Sequence, residues 1–68
     1  MIVDYFDRPT KIKVWDLDEN WTYGIGKADR LYFNDGFEMS IKDYYEQVKI
    51  AHLWQEGPSV NRAIEIIE

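Results

Sequence analysis

Leu31-Tyr32-Phe33-Asn34-Asp35-Gly36-Phe37-Glu38-Met39-Ser40-Ile41-Lys42-Asp43 is the stretch whose reading decides the fold. It holds a hairpin and the start of a helix. A two-residue loop at Asp35-Gly36 sets Phe33 against Glu38 and Tyr32 against Met39, which mixes polar and apolar faces. A three-residue loop at 34–36 pairs Phe33 with Phe37, Leu31 with Met39 and Tyr32 with Glu38. It also puts Gly36 at the left-handed position of the loop, which glycine adopts without steric cost. The second register is therefore expected. Ser40 follows as an N-cap, with Asp43 three residues on in the manner of a capping box.

Upstream of the hairpin the period is two. Ile12 and Val14 alternate with Lys11, Lys13 and Trp15, predicting a strand over 10–17. Trp21, Tyr23 and Ile25 alternate with Thr22, Gly24 and Gly26 across the next strand, and glycines inside a strand mark a bulge or a close approach. Asp7-Arg8-Pro9 reads as a break, leaving 1–9 as a short arm or edge strand. Downstream, the helix runs from Ser40 to about Gln55 or Glu56, with Gly57-Pro58 as its stop. Ser59 then caps a second helix over 60–67, in which Val60, Ala63, Ile64 and Ile67 share a face. The expectation is one α+β domain over 1–68: a small antiparallel meander of three to four strands followed by one long and one short C-terminal helix.

Composition narrows the function. The 68 residues contain no cysteine, which excludes disulfides and Cys-based zinc sites. Aromatic residues make up 16% of the chain, more ring than so small a core readily encloses, so some rings are expected at the surface as contact residues. Thirteen acidic residues against eight basic ones give a net charge of −5, which speaks against a general grip on nucleic acid or anionic membranes and suits a partner with a basic or mixed surface. Residues 1–7 carry acid where a secretory leader needs base, and no apolar run approaches the ~18 residues of a membrane span, so a cytoplasmic location is expected.

Three patterns compete for chemistry. The densest acidic cluster is Asp16-Leu17-Asp18-Glu19-Asn20. It begins like a calcium loop, but Trp21 stands where that loop needs glycine and Lys27 where it needs a bidentate Glu. Asp16, Asp18 and Glu19 therefore read as an acidic turn for a basic partner. His52, the single histidine, has Glu56 four residues later, but no third ligand and no nucleophile accompanies them. Gly24-Ile25-Gly26-Lys27 lacks the third glycine and the following helix of a phosphate loop. Neither an enzymatic role nor a cofactor or metal is expected.

The first helix carries two apolar faces. Ile41, Tyr44, Tyr45, Val48, Ala51 and His52 form the stripe that lies on the sheet. Ile50, Leu53 and Trp54 project elsewhere. Either the second helix covers them or they form a patch for a partner or a second copy of the chain, with Trp54 as anchor. The leading expectation is a small acidic non-enzymatic protein that binds and modulates a larger partner. One version is a phage or mobile-element product that blocks a host nucleic-acid-handling protein. The alternative is a small β module that binds single-stranded nucleic acid through sheet aromatics and Lys11, Lys13, Lys27 and Arg30.

Overall fold

The hairpin forms in the three-residue register. In the computed structural model, which describes residues 2–18 and 20–67, β3 (Arg30–Phe33) and β4 (Glu38–Ser40) pair Leu31 with Met39 and Tyr32 with Glu38. The Phe33 amide donates to the Phe37 carbonyl at 2.8 Å, and the two rings stack 5.8 Å apart. Gly36 has φ +93°. Ser40 caps α1 (Ile41–Leu53), its hydroxyl accepting from the Asp43 amide at 3.1 Å. The helix start is pinned over the turn that precedes β3, where the Ile41 amide donates to the Asp29 carbonyl at 2.7 Å.

Five strands, not three or four, form one antiparallel sheet in the order β4-β3-β2-β1-β5, with β1 at Phe6–Trp15, β2 at Trp21–Ala28 and β5 at Ile64–Ile66. The strand expected over 10–17 starts earlier and ends earlier. Pro9 does not break it, because the register jumps between the Phe6–Ala28 and Thr10–Gly26 pairs. Pro9 sits in that bulge, where no ladder N–H is required of it.

The largest correction is at the C-terminus. Residues 60–67 do not form a second helix. Ile64, Glu65 and Ile66 lie extended beside β1, pairing with Val14, Lys13 and Ile12. A segment this short nucleates poorly as a helix. Three isoleucines at 64, 66 and 67 favour a pleated strand, and the long β1 offers open ladder positions. The Ser59 hydroxyl donates to Asn61 Oδ1 at 2.7 Å instead of capping a helix.

The helix also stops sooner than expected. Trp54 is its C-cap, and Gln55, at φ +58° in the left-handed region, ends the helix in place of the Gly57-Pro58 stop expected from sequence. The amides of Gln55 and Glu56 donate to the carbonyls of His52 and Ala51 at 2.9 Å each, completing the helix stop in the Schellman pattern. Gly57 serves a different need. A Cβ there would stand 2.5 Å from the Trp15 ring, so the absence of a side chain lets the 55–63 segment lie across that indole.

One face of the sheet meets α1. Ile12, Val14, Leu31, Ile64, Ile41, Tyr44 and Val48 are buried there, joined by Phe6, Trp15 and Ala63. On β2 the inward positions are the glycines. A Cβ on Gly26 would collide with the Phe6 ring, and one on Gly24 with the Tyr32 carbonyl oxygen. Tyr44 closes the assembly. Its hydroxyl donates to the Trp15 carbonyl at 2.6 Å and lies 3.4 Å from the Ala63 carbonyl, bridging α1, the end of β1 and the approach to β5. Tyr45 does the same for the N-terminal arm, donating to the Val3 carbonyl and accepting from the Val3 amide. Desolvation on burial raises the pKa of both phenols, assisted at Tyr44 by the neighbouring Tyr45.

Candidate macromolecule-binding surfaces

The end of α1 places Ile50, Leu53 and Trp54 together on the side away from the sheet. Residues three and four apart are neighbours on a helix, so Ile50 touches the same surface as both others. With Ile64–Ile66 drawn into the sheet, no second helix among the described residues covers them. Leu53 is 82% exposed, Trp54 74% and Ile50 51%. Glu46, Gln47 and Lys49, all exposed, lie one turn back and rim the cluster with both signs of charge. The wide exposure follows from the early helix stop: the chain reverses at Gln55 and runs toward Trp15 instead of folding back over Leu53.

The acidic turn is divided. Asp16 is half-buried, and its Oδ1 accepts from the amides of Asp18 at 3.0 Å and Asn20 at 3.3 Å. It therefore holds the β1–β2 loop and is not free to meet a partner on both oxygens. Asp18 is exposed, and Glu19 lies outside the described residues. Asp35 joins the same end of the sheet. Asp16, Asp18, Asp35 and Phe37 share a recess of about 270 Å³. The sequence reading passed over Asp35 as a turn residue. The signal was in the topology, since successive meander strands bring alternate turns to the same end. Carboxylates also stand at Asp29 on the opposite end and at Asp43 and Glu46 on the helix, so the acid is dispersed and forms no single face.

The basic residues are gathered instead. Lys11, Lys13, Lys27 and Arg30 all take outward positions on the open side of the sheet, alternating with buried Ile12, Val14, Gly26 and Leu31. Trp21, Tyr23 and Tyr32 share that side.

His52 is exposed rather than set at the edge of the core stripe, with Nδ1 3.1 Å from the Gly57 carbonyl oxygen. Among the described residues no three His, Cys, Asp or Glu side chains converge as a metal site, and no helix is long and apolar enough to cross a membrane. No protein-family model matches the chain, and neither a curated protein nor a solved structure does.

Proposed function

We propose that the chain is a non-enzymatic binding domain that engages and modulates a protein partner through Ile50, Leu53 and Trp54. The observation that carries this reading is the exposure of Leu53 and Trp54, 82% and 74%, side by side at the end of α1. Single exposed apolar residues are ordinary, whereas a contiguous cluster with a polar rim has the anatomy of an interface core. Burying a Leu or an Ile gains about 1.5–3 kcal/mol, and a Trp anchor is among the residues whose truncation costs about 2 kcal/mol or more. The mixed charge at Glu46 and Lys49 fits a partner of mixed surface. Asp18, exposed on the β1–β2 loop, would contribute to the rate of encounter with a basic patch more than to affinity.

The test runs tagged wild-type and Trp54→Ala chains side by side in affinity capture, followed by titration of whichever purified protein is retained. A protein held by the wild type and bound about 30-fold more weakly by Trp54→Ala supports the reading, since that ratio corresponds to about 2 kcal/mol. Equal retention by both chains contradicts it. Sedimentation of the pure protein identifies a second copy of the chain as the occupant, if it dimerises through Trp54.

A further inference from the structure

The open side of the sheet is a second surface, independent of the helix patch. β1 turns Lys11 and Lys13 outward, β2 turns out Trp21, Tyr23, Ile25 and Lys27, and β3 turns out Arg30 and Tyr32. The register sets them in rows: Lys13 opposite Tyr23, Lys11 opposite Ile25, Ile25 opposite Tyr32, and Lys27 opposite Arg30. Tyr23, Ile25, Tyr32, Ile67 and Lys11 line a groove of about 500 Å³ along this face. The rings are accessible, Tyr23 at 59%, Trp21 at 43% and Tyr32 at 37%. α1 packs on the other side.

Charge is segregated onto this face. The chain carries −5, yet four of its eight cations lie here, against three carboxylates on the strands among the described residues: Asp7, Glu38 and Glu65. Glu38 is held by Arg30 at 3.2 Å. Lys27 directly faces Arg30 across β2 and β3, which sets two cations side by side, with Glu38 on the far side of Arg30.

We propose that this face binds single-stranded nucleic acid, with Tyr23, Tyr32 and Trp21 stacking bases and Lys13, Lys27 and Arg30 neutralising phosphates. Same-face residues along a strand are about 6.6–6.8 Å apart and diagonal neighbours on adjacent strands about 7–8 Å apart. Trp21 and Tyr23 stand in the first relation and Tyr23 and Tyr32 in the second, so successive unstacked bases meet successive rings. Stacking of this kind is tolerant of sequence. A duplex keeps its bases inside the stack, where these rings cannot reach them, and the flat face offers no helix or ribbon to enter a groove. An acidic peptide would satisfy the cations but leave the rings uncovered.

The experiment is a fluorescence-anisotropy titration of a labelled twelve-nucleotide oligo-dT with the purified full chain. The expected Kd lies between about 1 and 100 µM at 50 mM salt. Neutralising three phosphates predicts a loss of roughly 15–20-fold between 50 and 200 mM salt. Tyr23→Ala and Tyr32→Ala should each weaken binding about 5-fold or more. Trp54→Ala should leave it unchanged, which separates this site from the helix patch. Circular dichroism confirms that each variant folds. Three results overturn the proposal: no saturable binding at 50 mM salt, equal binding of polyglutamate or of a blunt duplex, and oligo-dT binding insensitive to both tyrosines.

Discussion

Replacing Tyr44 with Phe removes one oxygen from the largest fully buried side chain among the described residues. The ring is fully buried and stays in place, so no cavity of consequence forms. What is lost is the donor to the Trp15 carbonyl at 2.6 Å, with its second contact to the Ala63 carbonyl at 3.4 Å. Leaving a buried acceptor short of its donor costs about 1–3 kcal/mol. A loss of about 1.5 kcal/mol lowers the melting temperature of a domain this size by roughly 6–12 °C. The same hydroxyl gives a second readout. Its pKa is raised in the folded protein, mainly by burial, whereas the unfolded chain ionises it near 10. Its stabilisation is therefore complete below pH 10. Above that pH it is lost progressively, as the unfolded chain ionises and the folded protein does not, by about 1.4 kcal/mol per pH unit. Urea unfolding of wild type and Tyr44→Phe at pH 8 and pH 11 measures both effects. The variant should be the less stable at pH 8 and should lose less stability than wild type on going to pH 11. Equal midpoints at pH 8, with equal losses at pH 11, would show that the junction of α1, β1 and β5 does not depend on this hydroxyl.

Gln55, which ends α1, and Gly57, which makes room for the Trp15 ring, should respond in opposite directions. Gln55→Gly relieves a left-handed non-glycine residue and should stabilise by about 0.5–1 kcal/mol, whereas Gly57→Ala drives a methyl into the Trp15 ring and should destabilise by about 1–3 kcal/mol, both read by thermal unfolding. If glycine at 57 were the helix cap, Gln55→Gly would bring no gain. Gly36→Val should cost about 1 kcal/mol or more, because a β-branched residue resists φ +93° and nothing crowds the position sterically. Asp16→Ala should destabilise the β1–β2 loop by about 1 kcal/mol, and Asp18→Ala should lie within about 0.5 kcal/mol of wild type, since Asp16 and not Asp18 accepts the two loop amides.

The features legible in the sequence were those settled by neighbours along the chain. The 31–39 hairpin followed from matching apolar partners and one glycine, and the Ser40 cap from its own spacing to Asp43. The C-terminal segment was not legible in this way. Val60, Ala63, Ile64 and Ile67 fit a helical face, while Ile64 and Ile66 fit a strand equally well, and the choice was made by β1, some fifty residues earlier, offering its free edge. Gly57 misled for a related reason. A glycine before a proline signals a helix stop, but here its lack of a Cβ answers to Trp15, a contact that local sequence does not encode. Of the candidate sites, the off-stripe position of Ile50, Leu53 and Trp54 was visible from 100° periodicity. Their exposure depended on the fate of the C-terminal segment. The clustering of Lys11, Lys13, Lys27 and Arg30 was visible as a list, but its segregation from the acid required the register of four strands.

The helix patch is tested most directly by pairing unfolding with partner binding for Trp54→Ala. A residue 74% exposed should give a stability change within about 0.5 kcal/mol, while association with the captured partner weakens about 30-fold. If instead the variant loses the roughly 3–5 kcal/mol of a buried tryptophan and binds its partner as tightly as wild type, Trp54 belongs to the core and the helix end is not a binding surface.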